Sequence, residues 1–283
     1  MTKIGYGKGE IETFAYDAQG RLAKHTRGKK AETYSYDHFG RLVKEGARTY
    51  RYGYLDKVLA ITEGKVRHTY GDHVDGQLAS ATKRSAVKPK KGGKPQAPET
   101  EEFLWDGLAL VKRGGASYVN EPHPGGGAAV LSSKDGVMFN DILGTTLGVE
   151  GEGGYTATPL TAFGDGPAQR LNASTPQPLF TGKPQVDGLG HAFLMRNYRA
   201  GLVKWLTADP LGYLDGWNQL AYCGNGVMDA VDWLGGHRID IMLIEVMGCH
   251  VAHLALECET ALRQSQVTKI RRCAQMVSRP RCF

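Results

Sequence analysis

One nine-residue frame occurs twice near the start of the chain and constrains its fold more than any other feature. Phe14-Ala15-Tyr16-Asp17-Ala18-Gln19-Gly20-Arg21-Leu22 is answered by Tyr34-Ser35-Tyr36-Asp37-His38-Phe39-Gly40-Arg41-Leu42. Aromatics alternate with small or polar residues ahead of each Tyr-Asp pair, which is the period of a half-buried strand. Aspartate then suits the start of a tight turn, glycine supplies a positive φ, and Arg-Leu opens the returning strand. Each unit therefore reads as a β-hairpin.

Looser copies follow at Tyr50-Arg51-Tyr52-Gly53-Tyr54, at Arg67 to Asp72 leading into Gly76-Gln77-Leu78, and at Phe103 to Leu108. A lone hairpin cannot bury its own apolar face, so neighbouring units must cover one another. The expected fold is mainly β: repeat hairpins joined into a spiralling, curved sheet that forms part of a shell. The 38 glycines suit such a turn-rich chain.

The formal charge of +6 comes from one tract. Lys83, Arg84, Lys88, Lys90, Lys91 and Lys94 lie in a segment with no acid, so the rest of the chain sums to zero. The Lys-, Pro- and Gly-rich text there reads as an insertion lengthening one hairpin, not as a nucleic-acid groove. Met1 to Glu10 has no apolar run of the kind a signal peptide needs, so the expectation is a chain made in the cytoplasm, exported, if at all, as part of a larger assembly. Four of the five cysteines (Cys249, Cys258, Cys273, Cys282) fall near the end, which excludes a disulfide framework in the body.

Between Ser117 and Phe180 the text is weaker. A turn is expected from Glu121 to Gly127, a strand from Ala128 to Leu131, another turn at Asp135-Gly136, and a further repeat-like step from Phe139 to Gly144.

Phe180-Thr181-Gly182-Lys183 opens a stretch running through Asp187, Gly190, Arg196 and Tyr198 to Trp205-Leu206-Thr207-Ala208-Asp209-Pro210-Leu211-Gly212, then Gly216, Asn218, Leu220, Tyr222, Asn225, Asp232 and Gly235. This frame resembles the Rhs repeat-associated core domain, and with the Tyr16, Asp17, Gly20, Arg21 and Tyr36, Asp37, Gly40, Arg41 repeats the chain resembles the Rhs/YD-repeat family from about residue 10 to 236. The resemblance implies a β-shell that winds around a C-terminal polypeptide, in many members a toxin. It also implies self-cleavage by core aspartates, here Asp209 and Asp232, at the bond after Gly236. Two carboxylates held close cannot both ionise, which provides one acid and one base. The sequence departs from the family at Trp233 and Val227, where prolines are usual, at Leu220 for an aromatic, and at Gly236 for the leucine at the cleavage point.

These readings divide the chain into repeats (1–82), a basic insertion (83–102), further strands (103–179), a core segment (180–236) and a variable tail (237–283). In the tail, Ile239, Leu243, Val246, Met247, His250 and Leu254 recur at steps of three and four, so an amphipathic helix is expected from Asp240 to Arg263. Cys249, His250, His253 and Cys258 match no paired-cysteine zinc spacing, and no metal or cofactor is expected. Asp240 and Glu245 break the apolar run, so no membrane span is expected.

Three functions compete on this text. The first is a non-enzymatic shell that holds or presents a C-terminal polypeptide, its own tail or a toxin cargo, with other shell parts as partners. The second is a self-cleaving delivery module using Asp209 and Asp232. The third is a surface module for glycans or DNA, resting on the aromatics and the lysine tract.

Overall fold

The computed structural model describes residues 2–5, 11–86, 97–122, 128–133, 136–158, 160–166, 178–246 and 249–255. The chain divides into two units, Met1–Arg238 and Ile239–Phe283.

The first unit opens with twelve strands: β1 (Thr2–Gly5), β2 (Ile11–Tyr16), β3 (Leu22–Arg27), β4 (Lys30–Tyr36), β5 (Leu42–Glu45), β6 (Arg48–Tyr52), β7 (Val58–Glu63), β8 (Val66–Asp72), β9 (Leu78–Ser85), β10 (Glu99–Asp106), β11 (Ala109–Arg113) and β12 (Ala116–Ser117). They form one sheet in sequence order, each strand antiparallel to the next, and no pairing among the described residues joins β1 to β12. A second meander follows: β13 (Val119–Pro122), β14 (Ala128–Ser133), β15 (Gly136–Asn140), β16 (Thr146–Gly151) and β17 (Gly154–Ala157). The mainly β expectation holds. The core segment adds five short strands, β18 (Leu179–Phe180), β19 (Lys183–Val186), β20 (Gly190–Ala192), β21 (Asn197–Arg199) and β22 (Lys204–Trp205), and then β23 (Ala230–Val231).

Each repeat turn is closed by its aspartate as the frame implies. Asp37 Oδ1 accepts the Phe39 and Arg41 amides, both at 3.0 Å, while its Oδ2 takes the Arg41 Nε at 2.6 Å. Gly40 holds φ +80°, and Gly20 does the same in the Asp17 turn at +76°. The pairing register slips at one recurrent place, immediately before Tyr16, Tyr36, Tyr52, Asp72 and Trp105. An extra residue in one strand bends it and raises the local twist. The bulge recurs in alternate hairpins, β2/β3, β4/β5, β6/β7, β8/β9 and β10/β11, so the same local bend is repeated along the sheet.

Alternate residues on the strands then face one way. Tyr34, Leu42, Tyr50, Val58, Ile61, Tyr70, Leu78, Phe103 and Leu110 are buried, and with Met138 and Val149 they cluster on Leu179, Val186, Leu189, Ala192 and Leu206 of the core segment. A side chain of this size contributes about 1.5–3 kcal/mol when fully buried. Polar contacts tie the same surfaces: Tyr70 donates to the Asp187 carbonyl at 2.6 Å, the Leu42 amide to the Leu206 carbonyl at 3.1 Å, and Arg199 pairs with Glu45 at 3.0 Å. Phe180, Phe193, Tyr198, Trp205, Tyr222 and Cys223 form a second, aromatic cluster within the core segment.

Within the expected insertion at 83–102, residues 83–85 belong to β9 and 99–102 to β10, which pair from Glu99↔Lys83 to Glu102↔Ser80, and residues 87–96 lie outside the described residues. The turn expected from Glu121 to Gly127 is corrected at its start, because β13 runs through Glu121 and Pro122; residues 123–127 lie outside the described residues. The strand at 128–131 and the repeat-like turn at Asp141 are present, with Asp141 Oδ1 accepting the Leu143 and Thr145 amides at 2.9 and 2.8 Å.

The helix expected from Asp240 to Arg263 is overturned where the structure describes it. Ile239–Val246 (β24) and Cys249–Ala255 (β25) are antiparallel strands, in register from Asp240↔Ala255 to Val246↔Cys249. The run is short and apolar on nearly every residue, so steps of three and four coexist with a period of two. Ile239, Ile241, Ile244, Val246 and Val251 are β-branched and favour strand, and Gly248 disfavours an unbroken helix. Residues 256–263 of that expected helix lie outside the described residues. No described helix is long and apolar enough to cross a membrane.

Candidate functional site

The core segment contains a buried ion cluster centred on Arg196. One Arg196 Nη2 lies 2.6 Å from Asp209 Oδ2 and 3.5 Å from Asp232 Oδ2, and all three side chains are at most 3% exposed. The guanidinium is fixed from every side: its Nε donates to the Gly235 carbonyl at 2.6 Å, its Nη1 to the Gln219 carbonyl at 2.9 Å, and its plane lies 4.3 Å from the Trp205 ring centre. A buried charge needs this density of partners to be tolerated.

Asp209 reaches the cluster through the same turn as the repeats. Asp209-Pro210-Leu211-Gly212 repeats the Asp-x-x-Gly step: Asp209 Oδ1 accepts the Leu211 amide at 2.8 Å, and the Gly212 amide, at φ +87°, donates to the Asp209 carbonyl at 3.1 Å. In Asp17 and Asp37 the second carboxylate oxygen goes to an arginine four residues on. Tyr213 stands at that position here, and Arg196, in the loop between β20 and β21, supplies the guanidinium.

Asp232 closes the following loop. Its Oδ1 accepts the amides of Leu234, Gly235 and Gly236 at 3.1, 2.6 and 3.1 Å, so it grips the backbone next to the bond that the resemblance marks for cleavage. Burial raises its carboxyl to about 6, against the pull of Arg196 and of the amides. Burial raises Asp209 as well, again opposed by its own turn amide and by Arg196. The two aspartates expected to form an acid pair are thus brought to one guanidinium.

The other residues singled out from sequence are structural here. Pro210 and Gly212 form the Asp209 turn. Gly216, at φ +112°, donates to the Tyr213 carbonyl, and Asn218 Oδ1 accepts the Leu220 amide at 3.2 Å. Tyr222 is buried in the aromatic cluster and its hydroxyl accepts the Asp232 amide at 3.4 Å. Asn225 adopts φ +72° at the end of the short 3-10 turn Tyr222–Asn225. Gly235, at φ +79°, could not carry a Cβ without meeting the Arg196 nitrogen and Phe193 Cβ at 3.1 Å.

Two residues at this site had no signal in the sequence. Asp215 Oδ1 lies 2.7 Å from His237 Nδ1, and its Oδ2 accepts the Arg238 amide at 2.9 Å. Nothing about an aspartate and a histidine 22 positions apart announces that contact. Among the described residues no group of three or more His, Cys, Asp or Glu is placed to hold a metal ion.

Residues 87–96 of the lysine tract lie outside the described residues, and the described aromatics divide between surface and core, with Phe39, Tyr54, Tyr213 and Trp217 exposed. Lys83 pairs with Asp187 at 3.3 Å, and Tyr34, Tyr50, Tyr70 and Phe103 lie in the core.

Residues 16–49 match the family model described as RHS Repeat. That span is similar to an RHS repeat. The matched span holds the Tyr36–Arg41 turn, and ends well before the Arg196 cluster. Among solved structures, TcdB2-TccC3-TEV superposes at a TM-score of 0.53 with 15% identity, and a Photorhabdus luminescens Tc holotoxin pore bearing a TccC3 mutation at 0.52 with 14%. TcdB2-TccC3 without its hypervariable C-terminal region superposes at 0.50 with 14% identity. Each match covers 80% of this chain and 13% of the other, so this chain corresponds to a small part of much longer proteins. At this identity the likeness establishes the fold. A comparison with curated proteins returned no match.

Proposed function

We propose that this chain is a segment of a β-shell that holds or presents a polypeptide, as part of a larger toxin-associated assembly. The observation that carries this reading is the unclosed twelve-strand sheet packed on the core segment, in a fold shared with Tc toxin chains about six times longer. An open sheet edge invites continuation by further strands. The C-terminal polypeptide, whether its own tail or a cargo, is the candidate occupant. A polypeptide fused after Arg238 should resist protease while the sheet is folded and be digested once urea unfolds it. Equal digestion in both states removes the reading.

One geometry favours a second activity, release of that polypeptide by cleavage after Gly236. Arg196 holds Asp209 and Asp232 together, and Asp232 grips the Gly236 amide. Asp209, the closer partner of Arg196, would act as the base that takes a proton from water. Asp232, raised to about 6, is suited to give one. Water would add to the Gly236 carbonyl carbon, the carbon–nitrogen bond to His237 would break, and the Asp232 proton would go to the departing nitrogen. The products are a Gly236 carboxyl and a His237 amine. Intact mass of a doubly tagged chain tests this: two fragments from the parent, and one full-length species from Asp209→Asn and from Asp232→Asn. A full-length parent leaves the shell alone.

A further inference from the structure

We propose that Asp215 is a positioning residue that holds the leaving side of the Gly236–His237 bond, as Asp232 holds the acyl side. The inference rests on the cleavage reading and assigns it a residue which the paired aspartates do not include.

The backbone from Leu234 to Arg238 is secured on both sides of that bond. On the acyl side, Asp232 Oδ1 takes three successive amides, the Gly235 carbonyl accepts from Arg196, and the Leu234 carbonyl accepts the Met195 amide at 2.8 Å. On the leaving side both Asp215 oxygens are engaged, one by the His237 ring at 2.7 Å and one by the Arg238 amide at 2.9 Å. Two contacts from one carboxylate to consecutive residues fix a peptide direction as well as a position. Asp215 is largely buried and His237 about one-third exposed, so the grip is exerted at the edge of the ion cluster and leaves the histidine side open to water.

This grip also accounts for a glycine at the cleavage point. A glycine has the widest backbone freedom and by itself would leave the bond poorly placed. Here a Cβ on Gly236 would meet Met195 sulfur at 2.6 Å and Leu211 Cδ1 at 3.1 Å, so neighbouring side chains fill the space a leucine would take. Fixing is transferred from the side chain of that residue to hydrogen bonds on the residues around it. Misplacement of a reacting bond by about 1 Å can cost on the order of 100-fold in rate.

The test is a cell-free translation time course of the full chain, read by intact mass, with thermal unfolding of each product. Asp215→Ala should slow cleavage at least about tenfold and spread the cut to neighbouring bonds. Asp215→Asn should restore most of the rate, because its amide can serve both the His237 ring and the Arg238 amide, whereas asparagine at 209 or 232 cannot replace an acid. His237→Ala, which removes one contact from a partly exposed position, should slow cleavage relative to the parent but less than Asp215→Ala, and if Asp215→Ala fails to fold, His237→Ala cleaving at the parent rate and bond overturns the proposal. Cleavage of Asp215→Ala at the parent rate and bond overturns this proposal and leaves the Asp209–Asp232 reading standing. An Asp215→Asn as inert as Asp215→Ala also overturns it, since charge and not placement would be the requirement. An uncut parent overturns both.

Discussion

Arg41 closes its own repeat turn on Asp37 and at the same time lays its guanidinium 5.0 Å from the ring centre of Tyr52, whose hydroxyl donates to the Leu42 carbonyl at 2.7 Å. Arg21 stands in the same relation to Tyr36, at 4.6 Å, with the Tyr36 hydroxyl on the Leu22 carbonyl at 3.1 Å. The arginine of one unit therefore reads the tyrosine of the next, which couples neighbouring hairpins in addition to their shared strands. A double-mutant cycle between Arg41→Ala and Tyr52→Phe, and one between Arg41→Ala and Tyr52→Leu, should separate the two contributions. The ring should couple to the guanidinium by about 0.5–1 kcal/mol. Removing the hydroxyl alone should leave that coupling in place. Urea unfolding of the three single and two double variants measures it, and a coupling near zero with leucine would mean the stacking is incidental.

Arg196 should be the least replaceable residue of the core segment. Arg196→Met leaves two buried carboxylates facing each other without a counter-charge, a change expected to cost about 3–5 kcal/mol. Lysine should not rescue it, because the Nε contact to Gly235 and the Nη1 contact to Gln219 require the guanidinium fork. Adding Asp209→Asn and Asp232→Asn to Arg196→Met should recover a large part of the loss, since the penalty lies in the stranded charges. Urea midpoints across this series decide it: equal loss with and without the asparagines would place the role of Arg196 in packing on Trp205.

The turn at Asp209 was legible because Asp-x-x-Gly states its own geometry: a carboxylate that caps amides and a glycine that accepts positive φ. The same local rule makes the Asp17, Asp37 and Asp141 turns readable. What could not be read is which distant guanidinium meets the second oxygen. Arg21 and Arg41 are four residues from their aspartates, while Arg196 comes from before β21 and meets Asp209 through packing alone. Asp215 and His237 are joined in the same way. The tail failed for a different reason, since an apolar run such as Ile239 to Val246 satisfies both periods, and only pairing with Cys249–Ala255 selects the strand.

Gly20 and Gly235 have nearly the same φ, +76° and +79°, and should respond differently to alanine. At Gly20 a Cβ meets nothing within 4 Å, so Gly20→Ala carries only the left-handed backbone penalty of about 1–2 kcal/mol. At Gly235 the Cβ also presses on the Arg196 backbone nitrogen and on Phe193, which should bring the cost to about 2–4 kcal/mol and disturb the Arg196 contact to its carbonyl. Thermal unfolding of the two variants side by side tests the difference. Equal shifts would show that the loop around Gly235 yields without cost.

Asp232 should make stability and cleavage depend on pH in a predictable direction. Burial raises its folded carboxyl to about 6, while an unfolded aspartate titrates near ~3.9. Below about 4 both states hold the proton and its stabilising contribution is complete. Between about 4 and 6 the folded state keeps a proton that the unfolded chain has released, so the contribution shrinks as pH rises and is lost once pH passes the folded value. The difference in urea stability between the parent and Asp232→Asn should therefore shift against the parent across that window and level off above it, which removes the background from other titrating groups. If Asp232 is also the acid that protonates the departing His237 nitrogen, cleavage should slow by about tenfold per pH unit above about 6. A flat stability difference would mean that Arg196 keeps Asp232 ionised throughout. A cleavage rate that rises above pH 6 would assign the acid role to Asp209 instead.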